Sequence, residues 1–98
     1  MAILVIAEIP GGTVEQYEAV SRAIGFRDPD FEPPAGLISH TAGVTGDGIL
    51  IADVWDSPES FGRFADQQLG PAAEGAGVDV STLEPRFVPV HYRLTGKC

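Results

Sequence analysis

His40 and Asp53 are the two residues of this 98-residue chain whose types and positions best suit catalysis. A carboxylate beside an imidazole fixes the tautomer and orientation of the ring, so that the other nitrogen can act as a base. General-base removal of a proton contributes typically ~10²–10⁴-fold to a rate. The pair predicts proton abstraction from a phenol or an acidic carbon, with His40 as the base and Asp53 as the residue that orients it.

A predicted β-hairpin brings these two residues together. Leu37 to Val44 (LISHTAGV) and Ile49 to Trp55 (ILIADVW) have the composition of strands. The residues between them, Thr45 to Gly48 (TGDG), form a typical hairpin turn sequence. The two strands are therefore expected to be antiparallel neighbours.

The register of the hairpin decides whether the two side chains meet. If Val44 lies opposite Ile49, His40 lies directly opposite Asp53, with Cβ atoms about 4.5–5.5 Å apart. A shift of one residue would place them on opposite faces of the sheet. In the unshifted register the pair lies among apolar side chains. Both a base that faces a ligand and a satisfied polar contact inside the core are consistent with that position.

Apolar and aromatic residues are predicted to line a pocket beside the pair. The same register places Ile38 opposite Trp55, and pockets for small molecules are mostly apolar. The predicted substrate-binding residues are Trp55, Ile38, Ile51, Phe61, Phe64 and His91. Core packing is the alternative role for the aromatic residues among them, and for Tyr17.

His91, on the last predicted strand, has two alternative roles. It could join His40 in the pocket, or it could bond a backbone carbonyl near the end of the chain. His40, His91 and Asp53 together match the two-histidine, one-carboxylate set of some iron sites. Three ligands on three strands need a shared face, which the sequence does not indicate, so no metal site is predicted.

The first half of the chain is expected to form a strand and a helix. Ile3 to Ile9 is continuous and rich in β-branched residues, and a Pro-Gly-Gly turn follows it. Thr13 and Gln16 form a capping-box pattern, which predicts a helix that stops at Gly25. Arg27 to Gly36 (RDPDFEPPAG) is predicted to be a loop.

A second helix and a last strand are expected after the hairpin. Ser57 is a typical N-cap residue and Pro58 a typical first helical residue. Gly70-Pro71 is predicted to interrupt this helix. Arg86 to Leu94 (RFVPVHYRL) predicts the last strand, in which Pro89 indicates an edge position or a bulge.

This order of elements predicts an α+β, ferredoxin-like β-α-β-β-α-β fold in residues 1–98, a single domain. The four strands would form one antiparallel sheet in the order 4-1-3-2, with both helices on one face. The other face is largely apolar and would be bare. Two such sheets are therefore expected to pack together, face against face, in a homodimer.

Composition excludes several kinds of partner. The chain has 14 Asp and Glu against 6 Lys and Arg, a net charge of −8, so nucleic acids and anionic lipids would repel it. The N-terminal MAILVIA is too short for a signal sequence or a membrane span. Cys98 is the single cysteine, so an internal disulfide is excluded. These features predict a cytoplasmic protein without a membrane or nucleic-acid partner.

Three segments resemble the dimeric α+β barrel superfamily, near the antibiotic-biosynthesis-monooxygenase-like proteins. They are Gly36 to His40 (GLISH), Ile51 to Phe61 (IADVWDSPESF) and Val90 to Tyr92 (VHY). The resemblance implies a homodimer with a pocket between sheet and helices in each subunit. Members include cofactor-free oxygenases of aromatic polyketides, polyketide cyclases, isomerases, haem-degrading enzymes and proteins without known chemistry. Haem-degrading members typically ligate iron through a histidine of the second helix, and Ser57 to Leu69 contains none.

Two functional hypotheses follow from the residues and the resemblance. The first is a cofactor-free enzyme, a monooxygenase, cyclase or isomerase, that acts on an aromatic or hydrophobic small molecule through a His40–Asp53 base. The second is a non-catalytic dimeric module that binds a metabolite or serves a stress response. The absence of a strong catalytic motif in the sequence motivates the second hypothesis.

Overall fold

The computed structural model describes residues 2–78 and 83–96. Its elements follow the predicted β-α-β-β-α-β order. They are strand β1 (Ile3–Pro10), helix α1 (Val14–Ile24), strand β2 (Leu37–Thr45), strand β3 (Gly48–Trp55), helix α2 (Pro58–Phe64), a π-helical segment (Ala65–Leu69), helix α3 (Gly70–Gly75) and strand β4 (Arg86–Pro89). Cys98 lies outside the described residues.

The strands form one antiparallel sheet in the order β2-β3-β1-β4. This is the predicted order, read from the opposite edge, and it confirms the ferredoxin-like α+β fold. Val5, Ile49 and Asp53 face the helices, where they line a shared cavity. Because side chains alternate along a strand, Leu50 and Ala52 lie on the opposite face of the sheet.

The hairpin of β2 and β3 has the predicted register between its turn and the histidine. Val44 pairs with Ile49, and His40 pairs with Asp53. The turn itself is closed by the hydroxyl of Thr45, which accepts hydrogen bonds from the next backbone N–H groups of the turn. The predicted pairing of His40 with Asp53 is therefore confirmed.

A β-bulge changes the pairing at the start of β2. The register shifts between Leu37 and Ser39, so that Leu37 pairs with Trp55. The predicted pairing of Ile38 with Trp55 is wrong, because the bulge inserts one residue into β2. Ile38 is instead 39% exposed.

The predicted capping box positions helix α1. The Thr13 hydroxyl accepts a hydrogen bond from the backbone N–H of Gln16, and the Gln16 side chain accepts one from the backbone N–H of Thr13. Gly25 ends the helix with a left-handed φ of 103°. Tyr17 and Ser21 lie one turn apart on the face that packs toward the sheet.

The second helical run continues further than the sequence predicts. Its N-cap is Ser57, as expected. The predicted break at Gly70-Pro71 is wrong, because Ala65–Leu69 widens into a π-helical segment and Gly70 donates its N–H to the Ala65 carbonyl. Pro71 then falls in the first turn of α3, where a residue without an N–H is tolerated.

Strand β4 lies at the edge of the sheet, as Pro89 indicated, but it is shorter than predicted. It pairs with β1 only from Arg86 to Pro89. Since β1 begins at Ile3, directly opposite Pro89, one further backbone hydrogen bond follows, from the Val90 N–H to the Ala2 carbonyl, and residues 91–96 pair with no strand of the described chain. The predicted strand positions of His91 and Tyr92 are therefore wrong, and both residues are exposed.

The core lies between the sheet and the helices and is built on Trp55, which is 1% exposed. Its indole ring packs against the rings of Phe61 and Phe64, with centroids 5.7 and 5.4 Å away. Ile3 and Val5 complete the buried cluster. None of the helices in residues 2–78 and 83–96 has the length and apolar character needed to cross a membrane.

Candidate active site

The His40 and Asp53 side chains form a direct hydrogen bond on the helix side of the sheet. Nδ1 of His40 lies 2.7 Å from Oδ1 of Asp53. The Asp53 side chain is 6% exposed, and that of His40 is 24% exposed. The carboxylate is thus inside the protein, and the imidazole is the more exposed member of the pair.

Trp55 holds the other oxygen of the carboxylate. Its Nε1 donates a hydrogen bond to Oδ2 of Asp53 over 3.1 Å. Trp55 and Asp53 are two residues apart on β3, so their side chains emerge on the same face of the sheet. Because the indole is locked in the core, it fixes the orientation of the carboxylate.

Tyr17 completes the chain of contacts from helix α1. Its Oη lies 2.7 Å from Nε2 of His40. The two rings are nearly parallel, at 4°, with centroids 6.1 Å apart. The short distance between Oη and Nε2, together with the long distance between the centroids, means that the rings lie side by side rather than face to face. The Tyr17 hydroxyl therefore points at Nε2 of His40. Phe26 packs against the same imidazole with a centroid distance of 5.2 Å.

With Asp53 ionised and His40 neutral, these contacts fit one arrangement of protons. An indole N–H can only donate, so Oδ2 of Asp53 accepts. The ionised carboxylate also accepts through Oδ1, which places the proton of the neutral imidazole on Nδ1 of His40. Nε2 then has a free lone pair and accepts the hydrogen bond from the Tyr17 hydroxyl. The arrangement can move a proton from the tyrosine toward the histidine.

The three side chains border a cavity between the sheet and the helices. Its volume is about 100 Å³, of the same order as the ~150 Å³ of a cavity that binds a single benzene ring. Tyr17, His40 and Asp53 supply polar groups to its wall, as do Thr13, Gln16 and Ser21. The remaining wall is mainly apolar, and its larger members are Val5, Ile9, Val20, Ile24, Phe26, Ile49, Ile51, Phe61, Phe64, Leu69, Val78 and Leu83.

A larger groove of about 500 Å³ adjoins this cavity. Cavity and groove share Ala7, Phe61, Leu69 and Leu83 as wall residues. A molecule longer than one ring can therefore place one ring in the cavity and the rest in the groove. Asp66 and Glu74 border the groove as well, so it is less apolar than the cavity.

The structure brings some of the predicted site residues together and separates others. Ile51, Phe61 and Phe64 line the cavity with the His40–Asp53 pair. Trp55 lies behind the carboxylate in the core and is absent from the cavity wall. Ile38 is exposed after the bulge, and His91 is exposed beyond β4, so neither belongs to the wall. Within the described part of the chain, no three metal-ligating side chains come together.

Tyr17 is the residue of the site that sequence reasoning missed. Its spacing on α1 identified it as a core residue, and 23 positions separate it from His40. The contact exists because α1 docks across the hairpin, which no local pattern encodes. The capping box at Thr13 predicts where α1 begins, and therefore which residues face the sheet. It does not predict a partner for the Tyr17 hydroxyl.

Sequence comparisons identify no relative. No protein-family model matches the chain, and no curated protein matches it.

Solved structures share the fold over nearly the whole chain. A mutant of SnoaB, a cofactor-independent oxygenase from Streptomyces nogalater, superposes with a TM-score of 0.63 at 19% identity, covering 97% of both chains. A monooxygenase from the gene ActVA-Orf6 of Streptomyces coelicolor, bound to nanaomycin D, gives 0.57 at 19% identity and covers 97% of this chain and 92% of that one. A candidate antibiotic biosynthesis monooxygenase from Chloroflexus aurantiacus gives 0.55 at 22% identity, covering 98% and 100%. The predicted resemblance to antibiotic-biosynthesis-monooxygenase-like proteins is confirmed at the level of the fold.

Proposed function

We propose that this protein is a cofactor-independent enzyme, of the monooxygenase type, that removes a proton from an aromatic or hydrophobic small molecule. His40 is the base and Asp53 orients it. The observation that carries the proposal is the hydrogen-bonded chain from Tyr17 through His40 to Asp53 at the wall of an apolar cavity. Apolar walls with a few convergent polar groups are typical of small-molecule sites.

Tyr17 gives the proton transfer a relay. Its hydroxyl occupies Nε2 of His40, so a substrate meets the tyrosine oxygen first. The substrate C–H or O–H bond breaks as its proton passes to that oxygen, while the phenolic proton of Tyr17 passes to Nε2. The electron pair of the broken bond stays on the substrate. Asp53 stabilises the imidazolium that forms, through the bond to Nδ1.

Molecular oxygen can then complete the reaction without a cofactor, provided that the carbanion is conjugated with an aromatic ketone. For an anthrone, one oxygen atom becomes a new carbonyl oxygen at the deprotonated carbon and the other leaves as water. The balance is anthrone plus O₂ giving anthraquinone plus water, with the substrate as the source of electrons. The likeness of the fold to SnoaB, a cofactor-independent oxygenase, supports this reaction type.

The proposal includes a homodimer formed through the outer face of the sheet. Leu4, Ile6 and Leu50 emerge on the face opposite the helices, by their alternation with cavity-facing neighbours, and are only half-buried in the single chain. A sheet face of this kind is covered in a stable protein, and a second copy would cover it by isologous packing.

Oxygen uptake with anthrone tests the proposed reaction. The purified protein should consume one O₂ per anthrone, above the spontaneous rate, and the His40→Ala variant should lose this excess by about 10²-fold or more. His91→Ala is the matched control, since His91 is exposed outside the cavity, and it should retain the wild-type rate. Binding of anthrone without any excess oxygen uptake would favour the non-catalytic binding module instead.

A further inference from the structure

Ser21 is a buried polar residue to which the proposed proton transfer assigns no role. It lies in the middle of α1 and is 1% exposed. Its hydroxyl forms no hydrogen bond with any residue in 2–78 or 83–96. Because a buried polar group is normally paired, an orphaned hydroxyl indicates a partner that residues 2–78 and 83–96 do not supply.

The position of Ser21 identifies where that partner would be. Ser21 lines the cavity, one helical turn after Tyr17. Tyr17 is bonded to His40, and the cap residues Thr13 and Gln16 are bonded to each other. Ser21 is thus the polar wall residue left without a partner in the described chain, and a molecule in the cavity is the neighbour available to it.

We propose that the Ser21 hydroxyl donates a hydrogen bond to a carbonyl oxygen of the substrate, which makes the site selective for aromatic ketones. The inference rests on the proposed function, because it takes the Tyr17–His40 end of the cavity as the place where the substrate loses its proton. Side chains four residues apart on a helix have Cβ atoms about 5–6 Å apart. One molecule lying along α1 can therefore contact both residues.

The chemistry of deprotonation explains why a donor is useful there. When the C–H bond breaks, the electron pair spreads from carbon to the conjugated carbonyl oxygen, which becomes an enolate oxygen. A hydrogen-bond donor fixed at the position where charge develops stabilises the transition state. In anthrone, the acidic carbon and the carbonyl are at opposite positions of the central ring, so one can face Tyr17 while the other faces Ser21.

Binding measured under nitrogen tests the inference without turnover. The probes are anthrone and 9,10-dihydroanthracene, which has the same ring skeleton and no carbonyl. Ser21→Ala should weaken anthrone binding by about 5- to 10-fold, the range expected for one hydrogen bond, and should leave dihydroanthracene binding unchanged. Ser39→Ala, which removes an exposed serine of β2, should change neither affinity.

Two further measurements separate recognition from folding. The carbonyl stretch of bound anthrone should lie at lower frequency in the wild type than in Ser21→Ala. The melting temperature of ligand-free Ser21→Ala should equal or exceed that of the wild type, since the substitution removes a buried hydroxyl that has no partner. A lower melting temperature would mean that the hydroxyl serves the fold, and it would overturn the inference.

The binding result also distinguishes this inference from the proposed function. Equal loss of affinity for both probes, equal anthrone affinity in the wild type and Ser21→Ala, or no anthrone binding by the wild type would each overturn the role of Ser21. A carbonyl-dependent loss in Ser21→Ala, with no oxygen uptake by the wild type, would support the recognition of aromatic ketones and contradict the oxygenase reaction alone.

Discussion

Nδ1 of His40 lies 2.7 Å from Oδ1 of Asp53, across two strands whose register places the residues directly opposite each other. The same carboxylate accepts a hydrogen bond from the Trp55 indole. When His40 is neutral and carries its proton on Nδ1, both carboxylate oxygens are engaged by donors, and Nε2 of the imidazole is the acceptor for Tyr17. The functional proposal depends on that tautomer.

Asp53→Asn should reverse the tautomer of His40. An amide offers one acceptor oxygen, whereas the carboxylate accepts from both Nδ1 and the Trp55 indole. If the amide oxygen accepts the hydrogen bond from the Trp55 indole, the amide NH₂ group faces Nδ1 of His40. Nδ1 must then be an acceptor, so the proton of the ring moves to Nε2. The rate of oxygen uptake should fall by ~10²–10⁴-fold, and ¹⁵N NMR of the His40 ring should show the proton on Nε2.

Asp30→Asn is the control for that experiment, because Asp30 is exposed in the loop after α1. It should leave both the rate and the His40 spectrum unchanged. An Asp53→Asn protein with a wild-type ring spectrum and a wild-type rate would show that the carboxylate does not set the tautomer.

Tyr17→Phe should remove the relay and keep the ring. The hydroxyl that contacts Nε2 of His40 is lost, so the proton must reach the base by another path. We expect oxygen uptake to fall by roughly 10²-fold and the free energy of unfolding to fall by only about 1 kcal/mol. A rate equal to or above that of the wild type would mean that Tyr17 blocks the base rather than serving it.

Trp55→Phe should reveal the contribution of the indole N–H to stability. The substitution keeps an aromatic ring in the core but leaves Oδ2 of the buried Asp53 without its donor. The free energy of unfolding in urea should fall by about 1.5–3 kcal/mol, since the lost hydrogen bond is to a charged group.

Phe64→Leu provides the comparison for Trp55→Phe, because it shrinks an aromatic side chain of the same cluster without breaking a hydrogen bond. The indole substitution should cost more than this one by at least about 1 kcal/mol. Equal losses would assign the effect to packing volume alone.

Leu50→Lys should separate the proposed homodimer into monomers. Leu50 lies on the outer face of the sheet, opposite Glu8 in the register, so a lysine there has a neighbouring carboxylate and leaves the monomer fold intact. Sedimentation at micromolar concentration should give twice 10.3 kDa for the wild type and 10.3 kDa for the variant. Gln67→Lys makes the same charge change on the helical side and should remain dimeric. A wild-type protein that sediments as a monomer would refute the interface.

The sequence predicts the order of elements and the central pair because both depend on local patterns. The Thr13 capping box, the turn after Thr45 and the alternation of apolar residues each constrain only a few neighbouring residues. Once the turn is identified, the pairing of His40 with Asp53 follows by counting. The same counting gives the wrong partner for Ile38, because it cannot detect a β-bulge. The residues around the bulge all suit extended structure, so their types do not indicate where the extra residue lies.

The remaining differences arise from tertiary contacts. The length of β4 depends on where its partner β1 begins, and the continuity of the helical run through Pro71 depends on a π-helical segment. The contact between Tyr17 and His40 depends on how α1 docks onto the hairpin. None of these features is encoded within a window of neighbouring residues, which is why the pair was predicted and its relay was not.

Hydrogen exchange at the acidic carbon of anthrone tests the central claim most directly, because it follows proton abstraction without the oxygen step. Under nitrogen in D₂O, NMR would report the loss of the CH₂ signal with the wild type, His40→Ala and the His91→Ala control. We expect the wild type and His91→Ala to accelerate exchange equally, and His40→Ala to lose about 10²-fold or more of that acceleration. Exchange in His40→Ala as fast as in the wild type would contradict the assignment of His40 as the base.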